Sequence, residues 1–155
     1  MMKPGKPLMF ATITHQGKQK LIFATPGNPV SSYVTTILFV LPSIRVLCGR
    51  LEAEHPRVQV RLTHSIRLDP QRPEYHRATV WWDRHSNGLL AQSTGAQASS
   101  RLLSMRSANA LLELPRSSDT LQPGATVEAL LFSSLPGSEF IPPAPLVRQH
   151  HRQCC

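Results

Sequence analysis

The side chains best placed to do chemistry in this chain are cations and hydroxyls. Lys3 and Lys6 stand three residues apart in Lys3-Pro4-Gly5-Lys6-Pro7, a turn stiffened by two prolines. Two ammonium groups on such a loop form a short-range clamp for an oxyanion, with part of the ordering cost met in advance. Two solvated, flexible lysines are the plain alternative. Further on, Pro26-Gly27-Asn28-Pro29-Val30-Ser31 lies between an apolar run that reads as a strand and a longer one that reads as a helix. A helix start offers unpaired backbone N–H groups at its positive end, and anions bind there. Pro26, Gly27, Asn28 and Pro29 therefore read as a phosphate- or cofactor-binding loop. Ser31 either donates to the anion or, like Ser32, caps the helix.

Two distant segments have the same character. Arg72, in Asp69-Pro70-Gln71-Arg72-Pro73-Glu74, is bracketed by residues that restrict the backbone, so its guanidinium fork is aimed at an anion or closes a loop salt bridge with Asp69 or Glu74. Residues 92–109 hold five serines, one threonine and two arginines in eighteen positions and no carboxylate. That supply of donors suits a doubly charged oxyanion, although a polar surface loop has a similar composition. The chain shows no paired carboxylates set for glycoside hydrolysis, no Gly-x-Ser-x-Gly elbow and no His-Glu-x-x-His helix. Cys48, Cys154 and Cys155 form no spaced ligand set, and His150 and His151 read as part of a solvated tail, so no metal ligands are assigned.

The elements that would carry these residues change type along the chain. Leu8 to Thr14 and Lys20 to Ala24 predict a β-hairpin turning at His15-Gln16-Gly17-Lys18. From Val30 to Leu47, apolar residues at Val30, Tyr33, Val34, Ile37, Leu38 and Leu41 give the three–four spacing of a helix, kinked or restarted at Pro42 and stopped at Gly49. Leu51 to Arg57 reads as a linker. Period-two patterning follows in Val58 to Leu62, Ala78 to Trp82, Leu89 to Ser93, Ala110 to Leu114 and Val127 to Phe132, about five short strands suited to a small barrel or sandwich. Ser133 to Cys155 is rich in proline and poor in apolar periodicity and reads as a disordered tail.

The 155 residues carry a formal charge of +8, which favours anionic partners. The basic residues are scattered and aromatics reach only 6%, which disfavours nucleic acid. The apolar segment Tyr33 to Leu47 falls short of the roughly 20 residues that span a bilayer, so neither nucleic acid nor membrane is expected as a partner. An odd cysteine count without a secretory signal predicts a reducing, cytoplasmic setting. The abrupt opening turn predicts that the chain is a fragment of something longer.

With four motifs in hand, the sequence resembles the molybdenum insertases of molybdenum-cofactor synthesis, the family of MoeA and of the E domains of gephyrin and its plant counterparts. The resemblance runs from Met2 to about Leu131. It rests on residues 2–7 and 26–31, on Asp69 through Arg77, and on Ser93-Thr94-Gly95 with Ser99 through Leu112, the last being the more plant-type. It implies that residues 1–50 are the C-terminal part of an α/β cofactor-binding domain, a hairpin plus helix, and that 51–132 form an all-β, barrel-like C-terminal domain. The implied activity is a molybdotransferase that inserts molybdate into adenylylated molybdopterin and releases AMP with Mg2+ assistance, as a homodimer at full length. The implied molybdate ligands are Lys3, Lys6, Pro7 and Ser31 from the first domain and Arg72 and Ser99 from the second. The family's acidic metal ligands lie in a region with no counterpart here. A gephyrin-like scaffold that holds a receptor peptide is the alternative, and the region after Leu114-Pro115 lacks the tyrosine that gephyrin carries there.

Overall fold

The computed structural model describes residues 2–98 and 102–136. Ser99, within the serine-rich stretch, and the expected tail beyond 136 lie outside the described residues. Strands β1 (Met9–His15) and β2 (Lys18–Ala24) form an antiparallel hairpin with Met9 opposite Ala24 and His15 opposite Lys18. The turn is tighter than the sequence predicts. Only Gln16 and Gly17 connect the strands, both with positive φ (51° and 72°), the geometry whose twist matches a hairpin.

Helix α1 (Pro29–Thr35) passes into a π-helical turn, Thr36–Val40, and then into α2 (Leu41–Leu47), giving a continuous helical segment of 19 residues. Pro42 explains the interruption: it has no N–H to donate and its ring crowds the preceding turn, and the wider π turn, in which the Leu41 N–H donates to the Thr36 carbonyl, accommodates both effects. Gly49, at φ 77°, stops the helix where the sequence placed the stop. Counted from Pro29, the segment reaches the length and composition of a membrane span, so the sequence estimate from Tyr33 was too short. Its inner stripe is used in packing, because Val34 and Ile37 are buried with Leu111 and Leu130 of the barrel.

The barrel is closed by β3 (Arg57–Leu62), β5 (Glu74–Asp83), β6 (Gly88–Ser93), β7 (Ala110–Leu114) and β9 (Thr126–Leu131), in the spatial order β3-β6-β5-β7-β9. A short ribbon pairs β4 (Ile66–Arg67) with β8 (Thr120–Leu121). Four of the barrel junctions are antiparallel ladders and β3 runs parallel to β6. Alternation sorts the side chains. Val60, Leu62, Ala78, Val80, Ala91, Leu112 and Ala129 fill one core, while Leu111 and Leu130 point the other way to meet the helix. Residues assigned to two domains thus share a hydrophobic contact. Burying a Leu or Val side chain contributes about 1.5–3 kcal/mol, so this joint fixes the helix start against the barrel.

Asn109 closes the barrel seam beyond β7. Its side chain accepts from the Val80 N–H at 2.7 Å and donates to the Val80 carbonyl at 2.8 Å, doing inside the fold what a strand neighbour would do.

Candidate oxyanion site

The opening turn is stitched to the start of β5. The Lys3 N–H donates to the Pro73 carbonyl at 3.0 Å, and the Tyr75 N–H donates to the Lys3 carbonyl at 2.8 Å. Lys3 and Lys6 are thereby carried against the Asp69–Glu74 corner. Gly5 sits at the tightest point, at φ 135°, where a Cβ would stand 2.5 Å from Met2 Cε and 3.1 Å from Thr35 Cγ2. Gly5→Ala is therefore expected to lower the thermal midpoint by several degrees and to weaken oxyanion binding with it. Thermal denaturation and tungstate titration of the same variant check both effects.

A cavity of about 370 Å3 opens there, lined by Lys3, Lys6, Ser31, Arg72, Gln97 and Ala98 along with Met2, Pro4 and Gly5. Four of the residues singled out in the sequence, Lys3, Lys6, Ser31 and Arg72, meet in this one space. Pro7 does not line it, and neither do Pro26, Gly27, Asn28 or Pro29. Ser99 follows directly on the lining residue Ala98 but falls outside the described residues.

The helix start contributes differently from the expectation of free amides. Asn28 is the cap, and its Oδ1 accepts from the N–H groups of Val30 (3.1 Å) and Ser31 (3.2 Å), while its carbonyl accepts from Ser32 N–H at 2.8 Å. Those amides are therefore occupied. Because Asn28 caps, neither Ser31 nor Ser32 has to, and Ser31 keeps its hydroxyl for the cavity, which it lines from a buried position.

The carboxylates of the corner are also committed, to a partner the sequence did not indicate. Lys3 Nζ lies 3.3 Å from Asp69 Oδ2 and 3.3 Å from Glu74 Oε2. Asp69 Oδ1 meanwhile accepts from the N–H groups of Gln71 at 2.8 Å and Arg72 at 3.1 Å, which fixes the loop backbone. With both acids taken by Lys3, the salt bridge weighed for Arg72 does not form. Arg72 Nε is buried and has no hydrogen-bond partner among the described residues. A buried guanidinium N–H without an acceptor is costly, and Arg72 lines the cavity with neither Asp69 nor Glu74 paired to it.

Burial pushes the Glu74 carboxyl up, but the hydrogen bond and charge of His76, together with Lys3, outweigh it and hold the group below its ordinary value of 4.5. The sign of the linkage follows. Glu74 contributes stability that is fully present above pH 4.5 and is lost as the pH falls through the lower folded-state value. The thermal midpoint of the wild type should fall more steeply than that of Glu74→Gln as pH drops below 4.5. Parallel curves would remove Glu74 from the ion-pair account.

Arg77 is the structural residue that sequence reasoning passed over. Its side chain is fully buried on the outer side of β5, with Nε donating to Ser104 Oγ at 2.8 Å and Nη2 reaching the Ala98 carbonyl at 3.4 Å. Its backbone N–H donates to Gln97 Oε1 at 2.8 Å, and its carbonyl accepts from Thr94 and Gln97 side chains. One residue thus ties both ends of the serine-rich segment to the barrel. The only sequence signal was the arginine's position just before the apolar run that begins at Ala78.

Known proteins resemble this chain in sequence and fold. Residues 59–132 match the family model described as the MoeA C-terminal region (domain IV). Gephyrin of Dictyostelium discoideum is 45% identical, the match covering 86% of this chain and 21% of that protein. The chain belongs to the MoeA and gephyrin family. A molybdopterin molybdenumtransferase of Bacillus subtilis is 31% identical over 90% of this chain and 31% of its own length. Among solved structures, the molybdopterin biosynthesis MoeA protein of Pyrococcus horikoshii superposes with a TM-score of 0.59 at 26% identity, covering 84% of this chain and 30% of that one. This family member thus spans roughly a fifth to a third of the relatives it matches. These relatives are amoebal, bacterial and archaeal and lend nothing to the plant-type likeness.

Proposed function

We propose that the Lys3–Lys6–Ser31–Arg72 cavity is the oxyanion-holding part of a molybdopterin molybdotransferase, which inserts molybdate into adenylylated molybdopterin and releases AMP in the last step of molybdenum-cofactor synthesis. The observation that carries this reading is Arg72, which lines the cavity unpaired with either nearby carboxylate, both of which are held by Lys3. Lys6 and Arg72 would neutralise the dianion and Ser31 would donate a neutral hydrogen bond. Lys3 would contribute a weakened pull, because its charge is shared with Asp69 and Glu74. That suits a site that must release its metal to sulfur, since an anion bound as tightly as the transition state would slow its transfer. Ser99 belongs to the same proposal through its place after Ala98.

Among the described residues no three His, Cys, Asp or Glu are grouped to hold a metal. Magnesium is commonly held by one or two carboxylates, and the two at this corner, Asp69 and Glu74, are both engaged by Lys3, so they do not fit a magnesium site. The reading places the protein in the cytoplasm as a homodimer with small anions as its partners. Exposed apolar residues on the hairpin and helix, among them Phe10, Ile13, Tyr33 and Leu47, suit burial against further protein.

The test grafts residues 2–132 in place of the matching region of the Bacillus subtilis enzyme and follows molybdate-dependent consumption of adenylylated molybdopterin. Turnover should fall with each of Lys3→Ala, Lys6→Ala and Arg72→Ala. Unchanged turnover in all three would sink the assignment.

A further inference from the structure

Lys3 lines two cavities. One is the oxyanion cavity; the other, of about 490 Å3, has Glu74, His76 and Ser93 in its lining, none of which reaches the first. The Lys3 ammonium is therefore where side chains outside the oxyanion cavity can act on an anion held inside it. Two carboxylates compete for that ammonium, each at 3.3 Å, and they are tied down differently. Asp69 also accepts from the Gln71 and Arg72 N–H groups, so it builds the loop that carries Arg72. Among the described residues the Glu74 carboxylate has two hydrogen-bond partners, with Oε2 toward Lys3 and Oε1 lying 3.2 Å from His76 Nδ1.

His76 is itself held from behind. An ionised carboxylate can only accept, so Nδ1 carries the proton that Glu74 receives. On the other side of the ring, Nε2 lies 2.7 Å from Ser93 Oγ. That hydroxyl accepts from the Gly95 N–H at 3.1 Å and from the Gln97 amide at 3.4 Å. The Gly95 carbonyl, 3.2 Å from the hydroxyl, is already served by the Gln97 amide at 2.9 Å, so the hydroxyl proton goes to Nε2. Both imidazole nitrogens are thus engaged, and the hydrogen bond to Glu74 has a fixed direction. Imidazole and carboxylate are both buried, where water screens a charge little. A hydrogen bond donated to one carboxylate oxygen stabilises the charge there and lowers the pull of the other oxygen on a cation.

We infer that His76 is a positioning residue for the oxyanion site: by holding Glu74 Oε1 it limits the carboxylate's grip on Lys3 and leaves part of the ammonium's charge to the anion. The inference rests on the oxyanion reading of the first cavity and needs no ligand in the second. Glu74 is the residue through which it acts, and Glu74 opposes anion binding while His76 favours it.

The experiment measures two quantities on the 155-residue chain and its variants. One is tungstate affinity by calorimetry; the other is the rate of Lys3 reductive methylation by formaldehyde and a borohydride, read by mass spectrometry. The second needs no bound anion, because a carboxylate partner favours the charged, unreactive form of the amine. Glu74→Gln should bind tungstate about five- to tenfold more tightly and methylate faster at Lys3. His76→Ala should bind tungstate about two- to fivefold more weakly and methylate more slowly. The double variant should follow Glu74→Gln in both. Each single variant should melt lower than the wild type, so a merely structural role predicts weaker binding in both, and the opposite signs separate the accounts. His76→Asn, whose amide can replace Nδ1 as the donor, should regain most of the wild-type affinity. Affinity moving in the same direction in Glu74→Gln and His76→Ala, or Lys3 methylation unchanged in both, would overturn the inference. If tungstate binding depends on Arg72 while methylation does not change, the inference falls and the oxyanion reading stands. If the wild type binds no tungstate while methylation shifts in opposite directions, the coupling of His76 to Lys3 stands and the oxyanion reading falls.

Discussion

Arg72→Ala is expected to weaken tungstate or molybdate binding by about ten- to a hundredfold with little change in thermal stability. The magnitude follows from charge-assisted hydrogen bonds, worth about 1.5–3 kcal/mol each, at about 1.4 kcal/mol per tenfold. Stability should hold because Arg72 is only half-buried and its Nε has no acceptor among the described residues. Arg72→Lys should recover only part of the loss, since an ammonium restores charge without the planar fork. Titration calorimetry and a melting curve on each variant check the pair of outcomes. A large loss of stability with unchanged affinity would make Arg72 a structural residue and empty the cavity of its main ligand.

The second large effect is expected at Arg77. Arg77→Ala should destabilise the fold by roughly 2–4 kcal/mol, because it leaves a cavity and strips hydrogen-bond donors from Ser104 and Ala98 at once. Urea denaturation measures this as a lower midpoint at similar slope. Binding should weaken too, although Arg77 touches neither cavity, because Gln97 and Ala98 line the walls that Arg77 holds in place. Arg77→Lys should resemble Arg77→Ala in stability more than wild type, as lysine cannot serve Ser104 and the Ala98 carbonyl together in the same geometry. A stable Arg77→Ala with wild-type affinity would contradict the anchoring role.

Much of this fold was legible because its strands alternate. Ala110 to Leu114 reads as a strand with the bounds observed, and the other barrel strands differ by a few residues at their ends. The largest shift is in β5, which begins at Glu74 where apolar alternation predicts Ala78. Glu74, His76 and Arg77 are polar yet buried, so a hydropathy pattern stops short of them while the ladder to β7 continues. The ribbon of β4 and β8 is only two residues a side and leaves no periodicity to read.

The site was legible by residue type and less so by wiring. Lysine, serine and arginine in an acid-poor setting pointed to an oxyanion, and four of them converge. Which carboxylate takes which cation is a tertiary matter. Asp69 and Glu74 lie close to Arg72 in sequence, yet the bridge of Lys3 to β5 brings a competing ammonium to both. The cap was equally hidden, since Asn28 and the two serines are all good caps by type, and only the backbone path selects Asn28.

The most direct test of the central claim is to locate the anion. Crystals grown with tungstate and measured at the tungsten edge should show an anomalous peak in the cavity among Lys6, Ser31 and Arg72, within hydrogen-bonding distance of the Arg72 guanidinium. A peak only against scattered surface lysines, or none at saturating tungstate, would contradict the assignment of this cavity as an oxyanion site.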